Sequence, residues 1–161
     1  RDRDVTGVQT CALPISLLYK DRDGVSLRYS YDEKGNLLSL SRGGKEIFSA
    51  VYNEKGLIRS SVQVSVNYAY SYDTYGNVIQ RKTGTGMQQR LEAWTYDGQN
   101  RVLSYINPLG EKTSYEYKGK ETIVQYPNGL ERKIVYNNRK DLVSFVEKDS
   151  FTGKIDRKSV V

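Results

Sequence analysis

The sequence predicts an all-β fold in which short antiparallel hairpins stack side by side. Three observations predict this fold class. A tyrosine-led segment recurs about every twenty residues, apolar and polar residues alternate on the approach to it, and turn-forming Asp, Asn and Gly residues follow it. With 161 residues, the chain is long enough for one modest domain.

The repeat is recognised by its tyrosines, which lie at positions 31, 52, 72, 96, 117 and 136. The intervals between them are 21, 20, 24, 21 and 19 residues. Five copies align by eye: Tyr31–Leu38, Tyr52–Ile58, Tyr72–Ile79, Tyr96–Leu103 and Tyr136–Val143. A degenerate copy, which keeps only part of the motif, begins at Tyr117. One hairpin alone is marginally stable, so several neighbours are expected to supply the burial.

Strands are predicted where apolar residues occupy every second position, as a strand with one buried face requires. The clearest case runs from Val62 to Tyr72, where valines and then tyrosines alternate with other residues. No spacing of three and four, which a helix would need, is seen there. We therefore expect a continuous strand over this segment.

Each repeat tyrosine is followed by Asp or Asn, whose side chain can hydrogen-bond to the backbone two residues further on. Glycine, or Asn100 in the fourth copy, then stands where φ is expected to become positive. A type I turn closed by a glycine bulge fits this connection. The predicted structural positions of the repeat are Tyr31, Asp32, Gly35, Asn36, Tyr52, Asn53, Gly56, Tyr72, Asp73, Gly76, Asn77, Tyr96, Asp97, Tyr117 and Tyr136.

Further turns are predicted between the repeats, so that each repeat contributes about two short strands and the chain has hardly any helix. These turns are Arg42–Lys45, Asn107–Gly110 and Pro127–Gly129. Gly84–Gly86 is too short for a phosphate loop and is interpreted as a linker or a hairpin tip. Asp21–Gly24 resembles the start of a calcium loop, but Val25 and Ser26 occupy later positions of that motif, so a plain turn is the better interpretation.

The composition argues against an enzyme, and we predict no catalytic, cofactor-binding or metal-binding residue. The chain has no histidine and one cysteine, Cys11, and Asp32, Asp73 and Asp97 recur as turn-formers. The net charge of +6 is dispersed among acidic residues, which indicates a solvated surface and not a nucleic-acid interface. No segment has the apolar length of a membrane span.

Both ends of the sequence are interpreted as artefacts. Residues 1–15 and 156–161 match the translation of sequencing adapters, including the segments Val5–Ile15 and Asp156–Val161. The natural repeat array is then expected to be residues 16–155 of a larger protein, and Cys11 does not belong to it. We also expect residues 1–15 to pack poorly, because nothing selected them to fit.

The pattern Tyr-Asp-x-x-Gly-Asn-Leu, repeated over nearly all of residues 19–147, closely resembles the YD-repeat or Rhs-repeat family. This resemblance implies a curved sheet that forms an arc of a β-shell, as in bacterial Rhs toxins, insecticidal toxin complexes and teneurins. The chain departs from the pattern at Asn53 and Asn137, which replace Asp, and at Leu57, where Asn is expected.

The function implied by the resemblance is that of a non-catalytic shell segment, which encloses or presents a C-terminal toxin domain. Its partners would be neighbouring repeats, the enclosed toxin domain and glycans, and its location would be secreted or on the surface of a bacterium. The alternative is a carbohydrate-binding or cell-surface-binding module that uses exposed tyrosines, although aromatic residues on strand faces more often serve packing.

Overall fold

The computed structural model describes residues 15–159, which form fourteen β-strands and one 3-10 helix, Gly86–Gln88. The strands are β1 (Ile15–Lys20), β2 (Ser26–Tyr31), β3 (Leu37–Arg42), β4 (Lys45–Tyr52), β5 (Ile58–Gln63), β6 (Val66–Tyr72), β7 (Val78–Thr83), β8 (Arg90–Tyr96), β9 (Val102–Ile106), β10 (Lys112–Lys118), β11 (Glu121–Gln125), β12 (Leu130–Tyr136), β13 (Leu142–Asp149) and β14 (Ile155–Ser159).

The chain divides into two compact units, with the boundary between Ala69 and Tyr70 in β6. In the first unit the strands from β1 to β6 lie side by side in sequence order, each antiparallel to the next. In the second unit the strands from β7 to β14 follow the same rule. The prediction of an all-β fold of stacked antiparallel hairpins is confirmed.

Two kinds of loop recur between these strands. A five-residue loop follows each repeat tyrosine except Tyr117, as between the paired residues Tyr31 and Leu37. A two-residue loop joins other pairs, as at Gly43–Gly44, where both φ angles are positive and the flanking residues pair directly. Short loops of both kinds keep consecutive strands antiparallel and adjacent.

The prediction of one continuous strand from Val62 to Tyr72 is wrong. The chain reverses at Val64–Ser65, and Gln63 pairs with Val66 across a two-residue turn. Both turn residues have positive φ, 46° and 69°, a conformation that hairpin turns normally reserve for Asn and Gly. Pairing with the neighbouring strand overrides the β-propensity of valine here, since propensity depends on tertiary context.

The strained turn at Val64–Ser65 predicts a stabilising substitution. Val64→Asn combined with Ser65→Gly is expected to raise the free energy of unfolding by about 1–2 kcal/mol, because a β-branched residue at positive φ is costly. Urea denaturation measures the change. The reverse control is Gly44→Val, where φ is +83°, which is expected to destabilise. Equal stability of wild type and the double variant would contradict the assignment of this turn.

Few apolar side chains are fully enclosed in this fold. Burial therefore comes from contacts between adjacent strands. The buried hydrophobic residues among those described are Ala50 and Val124, at 7% and 4% exposure. Two serines are equally buried, Ser61 and Ser104. The Ser104 hydroxyl lies 2.7 Å from the Thr95 hydroxyl, whereas the Ser61 hydroxyl has no hydrogen-bond partner among the described residues.

These two serines predict opposite effects of the same substitution. Ser61→Ala is expected to raise the free energy of unfolding by about 1 kcal/mol, since it removes a buried polar atom that lacks a partner. Ser104→Ala is expected to lower it by about 1 kcal/mol, since it leaves the Thr95 hydroxyl without its partner. Thermal unfolding followed by circular dichroism distinguishes them, and a shift of the same sign in both variants would contradict this account.

The ends of the chain lie partly outside the described residues. Residues 1–14, including Cys11, are among these, so the prediction of poor packing can be examined only at Ile15, which is 57% exposed. β14 pairs with β13, and the assignment of residues 156–161 to an adapter stays a prediction. Between residues 15 and 159, no helix is long and apolar enough to span a bilayer.

Candidate functional site

The turn after each repeat tyrosine is built around one Asp or Asn side chain. In the first copy, the Asp32 Oδ1 atom accepts hydrogen bonds from the backbone N–H groups of Lys34 and Asn36, at 2.9 and 2.8 Å. The Gly35 N–H donates to the Asp32 carbonyl, and the Asp32 N–H donates to the Asn36 carbonyl. Gly35 and Asn36 thus face a single residue, which is the predicted glycine bulge.

The same arrangement recurs in the other copies, and the residue three positions after the Asp or Asn takes positive φ in each, including Lys140, which is neither Gly nor Asn. Asn replaces Asp in the second and fifth copies and makes equivalent bonds, because its side-chain oxygen is also an acceptor. The residues with positive φ at this position are Gly35, Gly56, Gly76, Asn100 and Lys140.

The Asp or Asn side chain also pairs with the residue four positions further on. Asn36 and Asn77 donate through Nδ2 to Asp32 and Asp73, at 2.8 and 2.9 Å. In the fourth copy Arg101 replaces the asparagine and forms an ion pair with Asp97, at 2.7 Å. The replacement of asparagine by arginine in the fourth copy therefore preserves donor and acceptor complementarity across the turn, whereas Leu57 in the second copy offers only its backbone N–H to Asn53.

The same hydrogen-bonding pattern is present in three loops that the sequence analysis treated as ordinary turns, those that begin at Asp21, Asn107 and Tyr126. At Asn107 the pairing is reversed, since Asn107 donates to the Glu111 carboxylate at 2.7 Å. An Asp or Asn three residues before Gly was a usable signal at two of these loops. The loop at Tyr126 lacks it, because there the tyrosine itself stands at that position.

Consecutive turns also contact one another. Asn77 Nδ2 donates to the Asn100 side-chain oxygen of the following repeat, at 2.8 Å. In the first unit, the Asn36 side-chain oxygen lies 3.8 Å from where a Cβ atom on Gly56 would stand. The asparagine of one repeat thus lies beside the positive-φ residue of the next.

The repeat tyrosines connect neighbouring repeats through their hydroxyl groups. Tyr52 donates to the Leu37 carbonyl, Tyr96 to the Val78 carbonyl and Tyr117 to the Val102 carbonyl, each at 2.8 Å. Each acceptor lies six residues after the tyrosine of the preceding repeat. We call these three hydrogen bonds the tyrosine links.

Two of the carbonyl acceptors, those of Leu37 and Val102, lie beside irregularities in strand pairing. Tyr31 pairs with Leu37 but Ser30 pairs with Ser39, so Leu38 is an extra residue in β3. The same shift follows Tyr96, where Leu103 is extra. Bulges disrupt the regular ladder and leave backbone groups in need of other partners. The tyrosine links supply such a partner, a role that periodicity alone does not reveal.

The remaining repeat tyrosines occupy equivalent strand ends. Tyr31 pairs with Ile15 and Leu37, Tyr72 stacks on Tyr70 at a centroid distance of 6.5 Å, and the Tyr136 N–H donates to the Lys120 carbonyl. The degenerate copy at Tyr117 keeps its tyrosine link, while its five-residue turn is replaced by a two-residue turn at Gly119–Lys120.

The turn aspartates and the linking tyrosines predict how stability depends on pH. The side chains of Asn36 and Asn77 lower the pKa of Asp32 and Asp73 below 3.8, whereas burial raises the pKa of Tyr52 and Tyr96 above 10.0. A lowered carboxyl pKa stabilises the fold above the unfolded value, and this stability is lost as pH falls through the folded pKa. A raised tyrosine pKa stabilises the fold below 10.0, and this stability is lost as pH rises further.

We therefore expect the free energy of unfolding to be flat between about pH 5 and 9 and to fall on both sides. The chain has no histidine to titrate between these limits. Urea denaturation across pH measures the profile. Asp73→Asn is expected to keep the turn, as Asn53 does, and to weaken the acid dependence. A maximum of stability below pH 4 would be inconsistent with these turns.

An ion pair with aromatic neighbours lies on one face of the second unit. Arg81 Nε donates to Glu92 Oε2 at 2.7 Å, and the Tyr105 hydroxyl donates to Glu92 Oε1 at 2.8 Å. Glu92 is only 9% exposed. Trp94 stacks on Tyr105 with ring centroids 5.3 Å apart, and the Arg81 guanidinium lies 6.0 Å from the Trp94 ring.

A second pair of the same kind lies further along this unit. Arg132 Nε donates to Glu147 at 2.7 Å, and its guanidinium lies 5.6 Å from the Tyr126 ring and 5.3 Å from the Phe145 ring. Arginine in both places joins a carboxylate on the next strand to aromatic side chains, which combines ion pairing with cation–π attraction.

The arrangement described above consists of contacts between strands and within turns. Among residues 15–159, no group of three or more acidic, histidine or cysteine side chains could hold a metal ion. The carboxylates discussed above accept hydrogen bonds from their own turns or from arginine. Asp21, at the loop that resembles a calcium site, forms an ion pair with the Arg42 guanidinium, at 2.7 Å.

Comparisons with known proteins agree with this geometry. The family model described as Teneurin YD-shell matches residues 25–147. The chain is similar in fold to a chain in the Photorhabdus luminescens Tc holotoxin pore carrying a TccC3 mutation, with a TM-score of 0.67 and 19% identity over 89% of this chain and 9% of that one.

A second solved structure, TcdB2-TccC3 without its hypervariable C-terminal region, matches with a TM-score of 0.58 and 11% identity. It covers 86% of this chain and 10% of that one. The chain thus spans about a tenth of the length of either matched chain. No curated protein sequence matches it.

Proposed function

The chain belongs to the teneurin YD-shell family, and on that premise we propose that it is a non-catalytic wall segment of a larger bacterial shell protein that encloses or presents a C-terminal toxin domain. The protein is proposed to be secreted or displayed on the cell surface.

The observation that carries this proposal is the connection between consecutive repeats. Each tyrosine link joins one hairpin to the strand after the preceding turn, as Tyr96 does with Val78, and Asn77 joins two turns directly. Stability in such a chain comes from contacts between neighbouring repeats. A wall needs contacts of this kind, which can continue from one repeat to the next.

The proposed partners are neighbouring repeats of the same protein and the enclosed toxin domain. The two solved structures that share the fold are described as a toxin pore and as TcdB2-TccC3 without a hypervariable C-terminal region. These descriptions apply to those proteins, and they support an enclosing role for the present chain.

Glycan binding through exposed tyrosines is the second candidate. Two tyrosines of the described residues are exposed enough to take part. Tyr19 and Tyr75 are 61% and 79% exposed, whereas the linking tyrosines are half-buried. Binding on a glycan array that disappears in Tyr75→Ala would favour this candidate, and no binding to any glycan would count against it.

Proteolysis tests the enclosing role. In the full-length protein, the C-terminal domain is expected to resist a protease that digests the same domain when it is expressed alone. Unfolding the wall by acid, which removes the turn contacts, is expected to abolish the protection. Equal digestion rates for the attached and the free domain would contradict an enclosing wall.

A further inference from the structure

A cavity of about 550 Å³ lies in the first unit, between the turns of the first and second repeats. Its lining includes Asp32, Glu33, Lys34, Asn36, Tyr52 and Glu54. Tyr52 contributes an aromatic ring, and three carboxylates stand against one ammonium group. The lining therefore combines an aromatic surface with an excess of negative charge.

The corresponding place in the fourth repeat is occupied by an arginine side chain of the chain itself. Arg101 Nε donates to the Asp97 carboxylate at 2.7 Å. The guanidinium carbon of Arg101 lies 4.3 Å from the centroid of the Tyr117 ring. A carboxylate and an aromatic face thus hold one guanidinium group together, through ion pairing and cation–π attraction.

The two places are equivalent by repeat position. Asp32 corresponds to Asp97, since each directly follows a repeat tyrosine. Tyr52 corresponds to Tyr117, since each forms a tyrosine link to the residue six positions after that repeat tyrosine. Asn36 stands at the position of the arginine and pairs with Asp32. In the first repeat the aromatic ring therefore lines an open cavity in place of a guanidinium contact.

Two further features suit this cavity to a cation from outside the chain. Glu33 of the first turn and Glu54 of the second are exposed, and neither forms an ion pair within residues 15–159. Gly56 places no side chain between these two turns, whereas Asn100, at the same position of the fourth repeat, bonds to Asn77 across the gap. The cavity between the first two turns keeps its space and its unpaired carboxylates.

We propose that this cavity binds the guanidinium group of an arginine side chain from another polypeptide segment. The guanidinium stacks on the Tyr52 ring and pairs with Asp32, and the two glutamates add attraction. Asp32 accepts three hydrogen bonds within its turn, which leaves one of about four acceptor positions of a carboxylate. A lysine fits less well, because its ammonium group has no planar face and no fork of donors. This proposal goes beyond the wall role and does not depend on it.

A nuclear magnetic resonance titration of the full chain tests the proposal. The probe is an acetylated and amidated Gly-Gly-Arg-Gly-Gly peptide, in which the side chain carries the only charge. Saturable shifts are expected at the amides of Asp32, Asn36 and Glu54, with half-saturation below about 5 mM. Citrulline in place of arginine, which is neutral and similar in shape, is expected to give none, and lysine is expected to bind about threefold more weakly. No saturable shift with the arginine peptide at about 20 mM, or equal responses to the three peptides, would overturn the proposal.

Asn36→Arg supplies the guanidinium from the chain itself, as the fourth repeat does, and is expected to weaken peptide binding about tenfold. Circular dichroism checks that the fold is kept. Glu54→Gln changes an exposed lining residue and is expected to weaken binding about threefold. The matched control is Glu46→Gln, which removes an exposed carboxylate of the same unit outside the cavity and should leave binding unchanged. Undiminished binding in a folded Asn36→Arg variant, or equal affinities of Glu54→Gln and Glu46→Gln, would refute the site.

Discussion

Tyr96→Ala is expected to lower the free energy of unfolding by about 3 kcal/mol. The substitution removes a half-buried aromatic ring, which is worth about 2 kcal/mol in transferred area. It also removes the hydrogen bond to the Val78 carbonyl, which adds about 1 kcal/mol. Urea denaturation monitored by circular dichroism measures the loss.

One variant separates the ring from the hydroxyl group, and a second serves as an exposed control. Tyr96→Phe keeps the ring and is expected to lose only about 1 kcal/mol. Tyr75→Ala changes a tyrosine that is 79% exposed and is expected to stay within about 0.5 kcal/mol of wild type. If Tyr75→Ala were as destabilising as Tyr96→Ala, the tyrosine links would have no special role.

Glu92→Ala is expected to have the second large effect, a loss of about 2–3 kcal/mol. Glu92 is nearly enclosed and holds both Arg81 and Tyr105, so its removal leaves a guanidinium group and a hydroxyl group without their acceptor. The value stays below that of a fully buried pair because the Arg81 side chain is 39% exposed. Chemical denaturation at low and high salt measures it.

The matched control for Glu92 is an exposed pair on the same unit. Lys118 and Glu116 lie 2.9 Å apart, and both side chains are 57% exposed. Glu116→Ala is expected to change stability by less than about 0.5 kcal/mol. Replacing Arg81 and Glu92 together by Met and Leu is expected to recover part of the loss, since no charge is then left unpaired. No recovery would contradict the view that the unpaired arginine causes the loss.

The turns of this fold could be predicted from the sequence because their chemistry is local. Asp32, Gly35 and Asn36 lie within five residues, and the side chain of the first bonds to the backbone of its near neighbours. The same logic predicted positive φ at Asn100, which the structure shows.

Features that depend on neighbouring strands could not be predicted in this way. Val64 and Ser65 carry no turn signal, and only the pairing of Gln63 with Val66 shows that the chain reverses there. The acceptor of Tyr96 is a carbonyl group 18 residues away, and the alternation of residues does not reveal this contact. Glu92, Arg81 and Tyr105 likewise meet only through strand pairing.

The order of the strands is tested most directly by nuclear Overhauser effects between backbone protons in the second unit. The structure predicts cross-strand contacts in a continuous series, from Thr95 to Ser104, then to Ser114, Gln125 and Glu131. Observing this series would support a wall in which each strand pairs with its neighbours in sequence. Contacts between strands that are not consecutive, such as β8 with β11, would contradict it.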